Sequence, residues 1–351
     1  PPPRDSTSLV YDPAGGRECI VEFMKARERT GAKPRNYAEW FSAAFGRGIA
    51  RHFLVPLNRK QYLIDPARLT PLQGGRFVPR PDPADVIRGA LRTHSTRIGY
   101  NADMWHPGRG GIEALPAGLA RGLAVPVETG RSVERVRWRE RIAELDGGER
   151  APYDVLVSTM PLPSLLARLD PLPPMLARAR RAMRWIGVLT VHVCVLRPRE
   201  TRKHWIYVAD RGIPFYRVGF PANIVPRDAP RGHGILSAEV SYRPGRRPPD
   251  GPLLRGVLRG LARLGLIGGA RDVVRTFVAD FPVGYVLFDR SWASSRVTAF
   301  AFLARHGIVS IGRYGGWVYG GMEDALREGR DTGRAIAAGG TRAPAALLRG
   351  R

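Results

Sequence analysis

Residues 308–337, IVSIGRYGGWVYGGMEDALREGRDTGRAIA, hold the densest arrangement of groups that could do chemistry. A short apolar run over 306–311 leads into Gly312-Arg313-Tyr314-Gly315-Gly316, and Gly320-Gly321 precede a stretch of helical periodicity from residue 322 to about 338. Strand, glycine-rich turn and helix in that order aim the first N–H groups of the helix at a ligand. Glycine lets the backbone approach such a ligand closely, and the exposed N–H groups with the helix dipole favour negative charge there. A tight turn joining a strand to a packing helix has the same spacing, so both readings stay open. Glu323 and Asp324 fall in the first turn of that helix, where acids are stabilising without any catalytic role.

Other reactive residue types are scattered. His52, His94, His106, His192, His204, His233 and His306 show no metal-ligand spacing. His192 and Cys194 share one strand face, but a zinc site needs about four ligands, so the pair reads as core and no metal is expected. There is no G-x-S-x-G nucleophile elbow. Trp185, Trp205 and Trp292 read as packing residues and not as a stacking platform.

The elements around these residues follow from pattern. Residues 1–17 read as irregular, 18–29 as a helix, and Asn36 as the N-cap of a helix that Gly46 and Gly48 interrupt. A second short helix over 49–55 is expected to stop at Pro56, and 65–85 reads as loop. After a helical stretch at 112–123, short strands are expected at 124–129, 133–138, 141–145 and 153–159, then a helix near 164–168. Strands follow at 185–196, 204–209, 215–220 and 234–242, then an amphipathic helix over 253–264 and a strand at 272–279. The tail from 341 to 351 reads as frayed.

The 351 residues suit about two domains. Hydrophobic residues make up 44%, which excludes wholesale disorder. No run of about 18 apolar residues occurs, which excludes a transmembrane helix. Cys19 and Cys194 cannot build a disulfide framework, so a reducing, cytoplasmic compartment is expected. The net charge of +25 comes from 52 arginines and four lysines spread through every segment, alongside frequent Ala, Gly and Pro, as GC-rich codons produce. A nucleic-acid binder concentrates its charge on a stripe or tail, so no dedicated nucleic-acid binding is expected. Peripheral membrane contact stays open.

The segment around Gly312–Met322 resembles the C-terminal flavin-binding motif of the FAD-dependent amine oxidase superfamily, in the branch of protoporphyrinogen oxidases and UDP-galactopyranose mutases. Other segments agree in order. Phe45-Gly46-Arg47-Gly48-Ile49-Ala50-Arg51-His52-Phe53 with Pro56-Leu57-Asn58-Arg59-Lys60 resembles the family block FG-x-GIA-x-x-F-x-x-PYN-x-K, with Leu57 in place of Tyr. Trp105-His106-Pro107 through Gly110-Gly111-Ile112 resembles the P-x-GG lead into the FAD-domain helix. The strand from Val133, the stretch Tyr153–Pro161 and Pro214-Phe215-Tyr216-Arg217-Val218 also have family counterparts. The resemblance covers most of residues 18–340.

It implies a mixed α/β fold: a Rossmann-like FAD-binding domain with an inserted mixed substrate domain. Residues 1–98 would be the helical part of the substrate domain, 99–170 the middle of the FAD domain, 171–300 the substrate sheet and 301–340 the last FAD-domain strand and helix. The cofactor implied is FAD, held by Val133 at the adenine, Gly312 and Arg313 along the ribityl-phosphate chain, and Gly321 and Met322 at the flavin pyrimidine edge. The activity implied is oxidation of a small molecule by hydride transfer to the flavin; such flavoenzymes need not have a side-chain catalyst, and no catalytic residue is named. A mutase-like enzyme acting on a nucleotide sugar is the alternative. Arg217 and Arg313 would then grip the diphosphate, with Tyr319 and Asn58 as further substrate contacts. The superfamily's G-x-G-x-x-G is absent from the sequence, so a further N-terminal βαβ unit is expected, and the mutase pattern after Tyr319 is replaced by Gly320-Gly321-Met322. A basic, non-enzymatic binding protein is the reading from outside the enzyme class.

Overall fold

The computed structural model describes residues 13–28, 31, 33–74, 77, 78, 80–90, 105–196, 201, 203–226 and 229–339. The irregular start expected at 1–12, the tail at 341–351, His94 and the boundary expected after residue 98 lie outside them. The chain forms two compact units, the first from Pro1–Leu123 and Ile186–Gly284, the second from Ala124–Trp185 and Tyr285–Arg351. The chain passes from one unit to the other after residues 123, 185 and 284.

The first passage through unit 1 is helical: α1 (Pro13–Glu28), α2 (Tyr37–Ile49), α3 (Val55–Tyr62), α4 (Pro83–Ala90) and α5 (Ala114–Ala120). Asn36 caps α2 as expected, its side-chain oxygen accepting the Glu39 N–H at 2.9 Å. Two expectations fail here. Helix α1 begins at Pro13, inside the stretch read as irregular, and α4 forms within the expected loop. The expected interruption falls at Gly46, whose backbone is not helical, and the helix resumes to Ile49. The helix kinks at Gly46 (φ 78°), and a Cβ there would lie 2.4 Å from the Glu22 backbone, while one at Gly48 would lie 2.8 Å from Cys19 Cα. These glycines exist so that α1 can lie against α2. Pro56 is no stop either. A π-helical stretch, Ala50–Leu54, carries the chain straight into α3, whose first turn takes the proline, where a missing N–H costs little.

In unit 2 the chain then forms β1 (Val133–Arg137), β2 (Ile142–Leu145), β3 (Arg150–Pro152), β4 (Leu156–Ser158), α6 (Leu162–Arg168), β5 (Leu169–Asp170) and α7 (Pro174–Ala182). The sheet order is β3-β2-β1-β5, with β5 parallel to β1. No strand forms at 124–129. Pro126 lacks a ladder donor, and Val125 and Val127 stay exposed.

Back in unit 1, β6 (Trp185–Leu196), β7 (Trp205–Tyr207), β8 (Arg217–Gly219), α8 (Pro221–Ile224), β9 (His233–Tyr242), α9 (Asp250–Arg263) and β10 (Val273–Val286) follow. They build a five-stranded sheet in the order β10-β6-β9-β8-β7. Alternation along β6 decides its faces: Leu189, Val191 and Val193 are fully buried, while Thr190, His192 and Cys194 are not. Helix α9 covers the apolar face with Leu253, Val257, Gly260 and Leu261, the period of one helix stripe. Each such buried Leu or Val contributes about 1.5–3 kcal/mol.

The last passage, in unit 2, holds α10 (Trp292–Arg305), β11 (Ile308–Ser310), the single turn α11 (Gly312–Gly315) and α12 (Met322–Ala337). Strand β11 pairs in parallel with β4, Val309 opposite Val157. The mixed α/β class expected from the sequence is what the chain adopts.

Candidate functional site

The strand, glycine-rich turn and helix predicted at 308–337 all form in unit 2. Fully buried β11 delivers the chain to Gly312, whose φ of 78° only glycine adopts without strain. The turn then closes on itself, Gly316 N donating to Gly312 O at 2.7 Å. Ser310 Oγ donates to Gly315 O at 3.0 Å, and Ile311 N donates to Ser158 O at the end of β4. Trp317 is fully buried at φ 54° with its ring edge-on to Trp185.

Gly321 is the N-cap of α12, and the first helical bond is Ala325 N to Gly321 O. Met322 is exposed. Asp324 Oδ2 accepts the Gly321 N–H at 2.8 Å, so the acids of the first turn already answer part of the dipole. What this helix end offers a ligand is N–H donors and room more than net positive charge. A Cβ added at Gly312 would meet nothing within 4 Å, and at Gly320 or Gly321 nothing closer than Asp324 at 3.6–3.8 Å. At these three glycines the backbone is left open to a ligand.

Arg313 leaves the turn into an aromatic frame. Its guanidinium carbon lies 5.2 Å from the Tyr285 ring centre, 5.6 Å from Tyr319 and 5.7 Å from Tyr314, and Nη1 donates to Gly320 O at 3.4 Å. Tyr319 in turn packs on Tyr285 and Phe288. Gly312, Arg313, Tyr319, Gly321 and Met322 are thus one local cluster.

The remaining predicted residues belong to other elements of the chain. Val133 opens β1, and its carbonyl accepts from Arg168 Nε at 2.6 Å. Asn58 is buried in α3, and its amide donates to Leu54 O at 2.8 Å. Arg217, on the sheet of unit 1, donates through Nε to Glu239 Oε1 at 2.9 Å, and Tyr216 Oη also bonds the Glu239 carboxylate. His192 pairs with Ser237 Oγ through Nδ1 at 2.9 Å and stacks on Phe277, a packed position whose burial pulls its pKa down. Among the described residues no group of three or more His, Cys, Asp or Glu could hold a metal ion, and no helix is long and apolar enough to cross a membrane.

Three residues that pattern reading missed shape the turn. Trp292 and Arg296, one helical turn apart on α10, reach the carbonyls of adjacent residues: Trp292 Nε1 bonds Trp317 O and Arg296 Nε bonds Gly316 O, each at 2.8 Å. Glu328 on α12 accepts the Gly312 N–H at 2.8 Å. The signal was present in the sequence, since Trp292, Ser295, Arg296, Ala299, Phe300 and Leu303 recur at helical spacing and form the buried face of α10.

No protein-family profile matches the chain. Solved structures do. Reduced UDP-galactopyranose mutase superposes with a TM-score of 0.83 at 23% identity, over 94% of this chain and 73% of that one. A protein described as a protoporphyrinogen oxidase from Exiguobacterium sp. 255-15 gives 0.62 at 15%, over 94% and 73%. A redesigned putrescine oxidase gives 0.57 at 16%, over 95% and 78%. All three belong to the FAD-dependent amine oxidase superfamily, and the fold of this chain is theirs.

Proposed function

We propose that the protein is an FAD-dependent oxidoreductase that oxidises a small molecule. The observation that carries this reading is the β11–turn–α12 cluster, with its open cradle at Gly312, Gly320 and Gly321, on a fold shared with flavoenzymes. Gly321 and Met322 would hold the flavin edge, Gly312 and Arg313 the chain towards the phosphates, and Val133 the adenine end. When bound, FAD supplies a two-electron acceptor for a hydride from a substrate C–H bond. The chain's own part is to orient and to exclude water. Backbone N–H groups at the start of α12 give directed donors, Arg313 gives a fixed positive charge framed by three tyrosines, and buried Trp317 closes the turn behind them.

A second reading, a mutase acting on a nucleotide sugar, draws support from the TM-score of 0.83 to UDP-galactopyranose mutase. It assigns Arg217 and Arg313 to the diphosphate and Tyr319 and Asn58 to further substrate contacts. Against it, Arg217 is ion-paired with Glu239, and the Asn58 amide donates to Leu54 O.

The test is the visible absorption spectrum of the purified protein. A flavin spectrum that survives desalting supports both enzyme readings. UDP binding that is lost in Arg217→Ala and Arg313→Ala favours the mutase, and bleaching by a small molecule without a nucleotide favours the oxidoreductase. A colourless, folded protein that takes up no added FAD overturns both and leaves a basic binding protein.

A further inference from the structure

We propose that Arg296 and Glu328 act as one charge couple that clips both ends of the Gly312–Gly316 turn and thereby positions Arg313. The ligand that Arg313 meets rests on the function proposed above; the clipping does not.

Arg296 is only 5% exposed. Its Nε donates to Gly316 O at 2.8 Å, and its guanidinium carbon lies 5.1 Å from the ring centres of both Trp292 and Phe300. Burial in that aromatic pocket pulls its pKa down to about 10, and the charge of Glu328 opposes the fall. Glu328 Oε2 accepts the amide of Gly312. The cation therefore holds the carbonyl at one end of the turn and the anion holds the amide at the other, from two different helices. Between these two points sit Arg313, Tyr314 and Gly315, with the Gly315 carbonyl accepting from Ser310 Oγ and the Gly312 carbonyl from the Gly316 amide. The next carbonyl, Trp317 O, is held by Trp292, so the couple adds a side-chain hold at each end of a turn whose backbone closes on itself.

Taking a charge out of water is costly, so the buried Arg296 guanidinium stays where a backbone carbonyl answers it, and such a contact directs geometry more than it adds stability. Here both charges are spent on backbone groups of one five-residue turn. The couple is built to set a conformation.

The experiment is hydrogen–deuterium exchange on the full protein, comparing wild type with Arg296→Met, Arg296→Lys and Glu328→Ala. The expected result is exchange about tenfold faster at residues 312–317, with β6 and β9 unchanged. Arg296→Lys keeps the charge and covers the case in which Arg296→Met does not fold. Unchanged exchange at 312–317, or an equal rise throughout β6 and β9, overturns the proposal. A second arm titrates FAD and UDP by fluorescence. The loss of affinity in Arg296→Lys should vanish when Arg313→Ala is already present, because a residue acting through Arg313 is non-additive with it. Additive losses overturn the positioning role. A wild type that binds neither ligand overturns the function proposed above, while the exchange arm still decides the couple.

Discussion

Arg217 and Glu239 are register partners across β8 and β9, and their side chains meet in a charge-assisted bond, Nε to Oε1, at 2.9 Å. Tyr216 adds a second donor to the same carboxylate. An arginine held in this way is rigid, and its charge is largely answered. Removing it strands a carboxylate whose side chain is only 16% exposed. Arg217→Ala should cost about 1–3 kcal/mol in urea unfolding, and Glu239→Gln less, since the amide oxygen still accepts from Arg217 while the Tyr216 hydroxyl can turn to accept from the amide NH2. If Arg217 also takes a diphosphate, Glu239→Gln should tighten UDP binding by removing the competing anion. Weaker binding in that variant would count against Arg217 as a phosphate ligand.

Gly46 and Gly147 share a positive φ, 78° and 79°, but not their surroundings. A Cβ at Gly46 would sit 2.4 Å from the Glu22 backbone, whereas at Gly147 nothing lies within 4 Å. Gly147→Ala should therefore cost only the backbone strain, about 1 kcal/mol. Gly46→Ala should cost more than about 2 kcal/mol, because strain and overpacking add. Paired thermal melts decide the comparison, and equal losses would mean that α1 does not need the glycine.

Lys60 donates to Val208 O at 2.9 Å and Asp210 O at 2.8 Å, and burial pulls its pKa from 10.5 down to about 8. Between those two pH values the unfolded chain holds the proton more often than the native one. Stability contributed at this site therefore rises as pH goes from about 8 towards 10.5. The melting temperature of the wild type, relative to Lys60→Gln, should climb over that window. A flat difference would show that the ammonium is solvated.

Asp324 caps the start of α12 through the Gly321 N–H. Asp324→Ala should cost about 1 kcal/mol and speed amide exchange in the first turn of the helix, while Asp324→Asn keeps an acceptor and should lose less. Either variant removes a negative charge from the candidate cofactor cradle. An anionic probe such as FMN, whose phosphate monoester carries about −1.5 to −2 at pH 7, should not bind them more weakly than it binds wild type.

Local pattern made a large part of the molecule legible. Asn36 as a cap, the alternating faces of β6 and β9, the stripe of α9, and the passage from β11 through glycines to α12 are all set by neighbours within a few residues, so periodicity and turn chemistry report them. The differences have separate causes. Gly46 interrupts the helix as its type suggests, but the reason is the approach of α1 from far along the chain. Pro56 reads as a stop, yet a π-helical stretch beside it carries the helix on. Residues 124–129 read as a strand, yet form no ladder, with Pro126 lacking a donor.

The candidate site divides in the same way. The sequence by itself determined which residues crowd one turn, because Gly312, Arg313, Tyr319, Gly321 and Met322 are covalently close and glycine spacing marks the bend. Only the tertiary structure decided what holds that turn. Arg296 is one of 52 arginines in a strongly basic chain, and although its place on the stripe of α10 marks a buried position, nothing in the pattern says what it bonds. It is buried because α10 packs where the Gly316 carbonyl needs a donor, and Glu328 faces the same turn from α12. Burial and hydrogen-bond partnership are properties of the surroundings, and for these two residues the surroundings are assembled only when the chain folds.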